Sequence, residues 1–179
     1  MALFNKNPNE AAYVGGKKHW TDVIKNSGSG ELRLEKIDSF SGQCRFLSNF
    51  YRCQIKSWDG ITYPTVEHAF QASKTLDMEE RRKIAGLTSP GEAKRAGKAL
   101  KLRSDWSVVK VRIMLDLLRI KFQTPDLKRK LLSTGNAKLI EGNTWGDRFW
   151  GQCYGTGENM LGKLLMKVRS ELRNAEIKK

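Results

Sequence analysis

The stretch Asp59-Gly60-Ile61-Thr62-Tyr63-Pro64-Thr65-Val66-Glu67-His68-Ala69-Phe70-Gln71-Ala72-Ser73-Lys74 changes its period halfway along. Asp59-Gly60 stands between alternating runs at 51–58 and 61–63, and predicts a β-hairpin, because an Asp-Gly pair supplies the backbone freedom a tight turn needs. Pro64-Thr65 then opens a run of helical period over 66–76. Downstream the start signals continue. Asp77 is placed to cap a helix reaching residue 85. Ser89-Pro90-Gly91-Glu92 has Ser at the N-cap, Pro at the first helical position and Glu two later, a complete capping box. Ser104 is expected to cap a longer helix through residue 122, with Trp106, Val109, Ile113, Leu117 and Ile120 as its apolar stripe. Thr124-Pro125 opens another that stops at Gly135. A short strand at 138–141, a loop over 145–157 and a closing helix over 158–175 follow. Upstream, 37–40 is a further short alternating piece. Residues 1–36 differ in character: Gly15-Gly16 and Asn26-Ser27-Gly28-Ser29-Gly30 flank one amphipathic piece at 18–25, as in an N-terminal arm or linker. The expected class is α+β: one mostly helical domain over 37–179, with a small antiparallel sheet from the first third of the chain and residues 138–141.

Composition agrees with a packed domain. The chain has 179 residues, 39% hydrophobic and 29% charged, outside the disordered and fibrous classes. No run approaches the roughly 18 apolar residues of a membrane span, and Met-Ala-Leu-Phe-Asn-Lys-Asn-Pro-Asn-Glu lacks a signal peptide's apolar core. A soluble cytoplasmic protein with no membrane partner is the expectation. Cys44, Cys53 and Cys153 are scattered and odd in number, and His19 and His68 lie far apart, so neither a disulfide framework, a metal site nor another cofactor is expected.

Charge is more informative. Thirty-three Lys and Arg against nineteen Asp and Glu give +14 and a pI near 9.9. Residues 91–130 alone hold twelve basic and four acidic side chains, a net +8. Such a run is either a solvated helical face or a surface for phosphate, on a polynucleotide or on a pyrophosphate ligand. Charge by itself leaves both open.

Two places can carry chemistry. Glu67, Gln71 and Lys74 are spaced i, i+4, i+7, which sets a carboxylate, an amide and an amine on one helix side, with His68 and Phe70 expected elsewhere. The same spacing also describes an ordinary surface pair. In Trp145-Gly146-Asp147-Arg148-Phe149-Trp150-Gly151, two tryptophans flank an Asp-Arg pair. They either sandwich a heterocycle, with Arg on phosphate, or form a packed aromatic plug with one salt bridge.

The residues quoted, together with Phe40, Leu47-Ser48-Asn49-Phe50-Tyr51, Ser89-Pro90, Arg103-Ser104-Asp105-Trp106 and Leu161-Gly162-Lys163-Leu164-Leu165-Met166, resemble in order those of the YbiA/NADAR family, over about 40–173. The resemblance implies an N-glycosidase that cuts between ribose C1 and a base-like nitrogen. Substrates of that family include phosphoribosylamino-pyrimidines of early riboflavin synthesis and ADP-ribose attached to guanine. It further implies Glu67, Lys74 and Asp147 as catalytic residues. Substrate contacts are expected from Asn49, Phe50, His68, Gln71, Trp106, Trp145, Arg148, Trp150, Gly151 and Asn159. Two carboxylates can divide the stabilisation of an oxocarbenium-like state and the protonation of the leaving nitrogen, or Lys74 can attack C1 of the opened sugar to form an imine. Two departures stand out. Glu158-Asn159-Met160 occupies a place where many members have Lys-Asn-Arg, and the arm 1–36 has no counterpart.

Three functions follow. The first is removal of ADP-ribose from guanine in nucleic acid, using the basic helices of 91–130 to hold DNA or RNA. The second is cleavage of a phosphoribosylamino-pyrimidine, which asks for one phosphate site. The third is a non-catalytic ADP-ribose or NAD-derivative binding module.

Overall fold

The computed structural model describes residues 35–178, so residues 1–34 of the arm, with its amphipathic piece, lie outside the described residues, whereas Lys36 belongs to the first strand of the domain. Among the described residues the domain is mostly helical, with six α-helices, one 3-10 helix and three two-stranded ladders. The chain opens with β1 (Lys36–Ile37) and the 3-10 helix (Gly42–Leu47), then the hairpin β2 (Ile55–Lys56) and β3 (Thr62–Tyr63). Helices α1 (Val66–Ala72), α2 (Met78–Ala85), α3 (Pro90–Ala99), α4 (Trp106–Lys121) and α5 (Pro125–Ser133) follow in succession. Strands β4 (Lys138–Leu139), β5 (Gly142–Asn143) and β6 (Gln152–Cys153) lead to α6 (Met160–Ile177).

The hairpin forms as its turn chemistry dictates. Gly60 has φ +78°, and its N–H donates to Ser57 O at 3.1 Å. Asp59 holds the turn from outside. One carboxylate oxygen accepts from Ile61 N, and the other accepts from Tyr63 Oη at 2.8 Å and from Arg81 of α2 at 3.1 Å. That ion pair is nearly enclosed, and Arg81 is further fixed by donating from Nε to Thr75 O.

Helix α1 is the centre of the domain, with all seven residues buried. Thr65 caps it by accepting from His68 N. The His68 ring turns away from the open side. Its Nε2 lies 3.2 Å from Leu87 O, an acceptor, so Nε2 carries the proton and Nδ1 accepts from Thr65 Oγ1 at 2.8 Å. Burial pushes its pKa down, which agrees with a neutral ring. Against α1 packs α3, whose capping box at Ser89 and Glu92 is complete. Gly97 permits the close approach. A Cβ there would overlap the Gln71 amide and sit 2.8 Å from Gln71 Cβ.

Three expectations need correction. The small strands do not form one antiparallel sheet: only β2 and β3 are antiparallel, whereas β1 with β4 and β5 with β6 are parallel. Ladders of two residues are set by the packing of the flanking helices, and have too few residues to show a period. Ser104 does not cap α4; Asp105 holds the N-cap position and makes no side-chain cap bond, its carboxylate being engaged by Arg103. Helix α6 begins at Met160 rather than 158 because the amides of Glu158, Asn159, Met160 and Leu161 donate to the carbonyls of Arg148, Gly151, Phe149 and Trp150. The loop thereby satisfies amides that a helix start leaves open.

Lys121, at the end of α4, is fully buried and belongs to the framework rather than to a basic surface. Its Nζ donates to Ser48 O at 2.7 Å and faces the rings of Tyr51 and Phe122, while burial lowers its pKa to about 8. The next carbonyl, that of Asn49, accepts from Glu67 N at 3.0 Å.

The α1–α3 contact gives a direct test. Gly97→Ala is expected to destabilise the domain by about 1–3 kcal/mol, because the added methyl must displace Gln71 from a packed site. A thermal melt that matches the unsubstituted protein would show that the helices separate without cost.

Candidate active site

Helix α1 turns one face into a cavity of about 610 Å³ that is open on one side. Its walls come from the segment after β1, the 3-10 helix and its exit, α1, α3, α4 and the loop between β5 and β6. Glu67 and Gln71 line it, as their spacing predicts, and Lys74 lines it from just beyond the Ser73 C-cap, the helix ending at Ala72 rather than 76. Phe70 lines it too, against expectation. It stands three residues after Glu67 and so lies on the same face of the helix.

The acidic centre is Glu67, 7% exposed, whose Oε1 accepts from Gln71 Nε2 at 2.8 Å. Burial pushes its pKa up, opposed by the Gln71 bond and by the charges of Lys94 and Lys74. Lys74 is half-buried, and its Nζ donates to Gly97 O at 3.3 Å. Burial lowers its pKa as well, which increases the neutral fraction of the amine.

Aromatic rings form another part of the lining. Phe70 packs against Trp106 at 5.1 Å between centroids and edge-on to Trp150 at 5.3 Å, and Trp150 stands edge-on to Phe149 at 5.0 Å. Trp150 is therefore packed. Trp145, 64% exposed, stands at the rim with Lys94 Nζ 6.0 Å from its ring. The two tryptophans therefore differ: Trp150 is packed among rings, and Trp145 leaves its ring accessible.

Asp147 lines the cavity but makes no ion pair with Arg148 among the described residues. Its Oδ1 instead accepts from Phe149 N and Trp150 N, at 3.1 and 2.9 Å, and its backbone is held on both sides by the Asn143 amide. This carboxylate shapes the turn that carries the aromatic wall.

Of the other expected contacts, Asn49, Phe50, Trp106, Trp145 and Trp150 line the cavity, whereas His68, Arg148, Gly151 and Asn159 do not. His68 serves the α1 cap. Arg148 is exposed to solvent. Gly151 and Asn159 stand behind a residue that the motif reading missed, Glu141. A Cβ on Gly151 would collide with Glu141 O, and Asn159 accepts from Glu141 N at 3.0 Å while donating to Leu139 O at 2.8 Å. The αL backbone of Asn159 places its side chain for this bridge. Glu141, Lys94, Lys110 and Arg45 all line the cavity. A glutamate ending the apolar pair Leu139-Ile140 was the available signal for Glu141, since a strand end is where a side chain meets a loop-built pocket. Lys94 adjoins Ala93 of the small-residue pair Ala93 and Gly97, which marks the packed face of α3.

Three buried acceptors without a hydrogen-bond partner among the described residues, Asn49 Oδ1, Gln71 Oε1 and Glu141 Oε2, belong to residues lining this one cavity. Buried acceptors left open carry a free-energy cost, and that cost is gathered in residues of the cavity wall. The cavity thus offers carboxylates, amides, amines and ring faces together, a set suited to a ribosyl group joined to a heterocycle.

The Asp147 turn can be tested apart from any ligand. Asp147→Ala is expected to lower stability by about 1–2 kcal/mol more than Asp147→Asn, which keeps an acceptor for the two amides. Thermal melts together with tryptophan fluorescence read this, and equal melts for the two variants would remove the turn from the structure's supports.

The NADAR domain family model matches residues 39–173. N-glycosidase YbiA of Escherichia coli strain K12 is 45% identical over 129 residues, 70% of this chain and 79% of that protein. A riboflavin biosynthesis protein of Vibrio vulnificus is 37% identical over 132 residues, 72% of this chain and 35% of that protein. The NMR structure of E. coli YbiA superposes with a TM-score of 0.72 at 38% identity, covering 82% of this chain and 90% of that one.

Proposed function

We propose that this chain, which belongs to the NADAR domain family and is an N-glycosidase, hydrolyses the bond between ribose C1 and the nitrogen of an ADP-ribosyl adduct on guanine, carried on a nucleic acid. Breaking that bond leaves positive charge on the sugar while the nitrogen departs with an electron pair. The observation that carries the reading is the burial of Glu67 among aromatic walls, on a helix that cannot shift without disturbing the core. A fixed carboxylate in a water-poor site stabilises the developing cation more than a solvated one does. Lys74, Lys94, Lys110 and Arg45 supply the positive side of the cavity for phosphate.

The preference for a nucleic-acid substrate rests on where the unpaired charge lies. Several basic side chains of 91–130 are held in ion pairs: Arg112 and Arg119 pair with Asp116, Arg119 also with Glu171, Arg129 with Asp126 and Lys128 with Glu176. Lys94, Arg95 and Lys98 of α3, and Lys101 beyond it, make no ion pair among the described residues. Arg95, Lys98 and Lys101 are exposed, and Lys94 reaches the cavity from the same helix. A polynucleotide whose modified base enters the cavity would run its backbone along α3. The second reading is a phosphoribosylamino-pyrimidine, favoured by the name of the Vibrio relative.

Incubation with an ADP-ribosylated guanosine oligonucleotide and, separately, with a phosphoribosylamino-pyrimidine separates the two by the sugar phosphate released. In the oligonucleotide reaction, Glu67→Gln is expected to abolish turnover while ADP-ribose binding stays within about tenfold, since shape is kept and charge is lost. Equal loss of both would make Glu67 a clamp on the ligand. Replacing the exposed Arg95, Lys98 and Lys101 together by Gln is expected to slow the oligonucleotide reaction and flatten its salt dependence, sparing the mononucleoside adduct. Identical salt dependence for the two substrates, unchanged in that variant, would favour the free metabolite.

A further inference from the structure

Glu141 occupies a position that the reaction leaves unassigned. It enters the cavity from the end of β4, in the wall that also holds Asp147, whereas Glu67 belongs to α1. Its backbone is clamped at both ends: its N–H donates to Asn159 Oδ1, and its carbonyl accepts from Gln152 N at 2.8 Å. Gly151 is the only residue type that lets the chain pass so close to that carbonyl. Its side chain is treated differently from the other two carboxylates. Glu67 Oε1 receives the Gln71 amide, and Asp147 Oδ1 receives two loop amides. Glu141 Oε2 is buried and receives nothing among the described residues. A buried carboxylate oxygen with no donor is poorly placed to hold negative charge, and well placed to hold a proton.

We propose that Glu141 is the proton donor to the leaving nitrogen, with Glu67 serving the sugar side. The assignment rests on the N-glycosidase reading. The C1–N bond breaks with its electron pair passing to nitrogen, and that nitrogen takes the proton of Glu141. Water adds to C1 and gives a proton to Glu67. One water is consumed, and the two carboxyls restore their protons through solvent before the next turnover. The environment of Glu141 agrees with this role. Burial, then the neighbouring Asp147 and Glu67 charges, raise its pKa to about 7 against the opposing charges of Lys94 and Lys121. A donor of that strength keeps its proton in about half of the molecules at neutral pH and gives it up readily.

The experiment compares two leaving groups. An exocyclic amine, as in the phosphoribosylamino-pyrimidine or the guanine adduct, must be protonated to leave, whereas a ribosyl pyridinium phosphate expels a neutral pyridine without any proton. Glu141→Gln is expected to lower kcat/KM on the amine substrate by about 100-fold or more, and on the pyridinium by less than about threefold. On the amine substrate, kcat/KM of the unsubstituted enzyme should fall as pH rises above about 7, and the variant should lack that fall. Glu141→Asp should keep the fall at a lower rate. Because the pH limb is read on the amine alone, it decides the matter even where the pyridinium is a poor substrate. Equal losses on both leaving groups, or a fall with pH that persists in Glu141→Gln, would overturn the assignment and make Glu141 a structural or binding residue. Failure of the unsubstituted enzyme on every N-riboside would instead strike the N-glycosidase reading, and the assignment with it.

Discussion

A helix of two turns in which every residue is buried has no solvent to satisfy its polar side chains, and α1 carries three of them in a row of five: Glu67, His68 and Gln71. That constraint organises much of the domain. His68 is met by the Thr65 cap below it and the Leu87 carbonyl beyond. Gln71 spends its amide on Glu67, and Gly97 yields the space it needs. What remains uncompensated on α1, Gln71 Oε1, is packed against Gly97. The chain has concentrated its costliest polar burial in the wall of the cavity.

Holding this arrangement requires the layers around α1 to be fixed from several directions. Asp59 and Arg81 tie the hairpin to α2, and Lys121 reaches up from α4 to the Ser48 carbonyl, beside the Asn49 carbonyl that receives the Glu67 amide. A buried lysine is an expensive brace, and pairing it with a carbonyl and two ring faces is what makes it tolerable. The first amides of α6 grip the aromatic loop in turn. The cavity is a preformed space, walled by elements that each have another structural duty.

Much of this framework was legible in the residues. Turn and cap chemistry is local, so Gly60, Thr65, Asp77 and the Ser89 box announced their structures, and the spacing of Glu67, Gln71 and Lys74 announced a shared face. The loop 145–151 declared its importance through its aromatic content. Other features needed the assembled molecule. Lys121 and Lys110 look alike in sequence, yet one is sealed in the core and the other sits over the Phe149 ring at the cavity. Arg148, Gly151 and Asn159 lie in the right segments but turn from the cavity or stand behind it, since a motif locates a segment and not the direction of each side chain. Glu141 went unseen because it lies between the motifs, and the short apolar pair before it is a faint signal. Its meaning comes from Asn159, Gln152 and Gly151, brought to it from the loop that follows and from the start of α6.

The parallel ladder of β1 and β4 has a bearing on how the molecule responds to occupancy. Lys36 and Ile37 pair with Lys138 and Leu139, and each strand runs within a few residues into the cavity wall, at Ser39 and Phe40 on one side and Glu141 and Gly142 on the other. A two-residue ladder is among the weakest cooperative units a fold can contain. A bound molecule touching both walls would act as the missing rungs, so the free energy of binding would be delivered to the segments least able to hold themselves. At a ligand concentration of about 100 times Kd that amounts to roughly 2.7 kcal/mol. Amide exchange at Lys138 and Ile140, whose N–H groups donate to Glu35 O and Ile37 O, would slow on binding before the deep core registered any change. Substrate, in this sense, stiffens the weakest seam of an enclosure that is already formed.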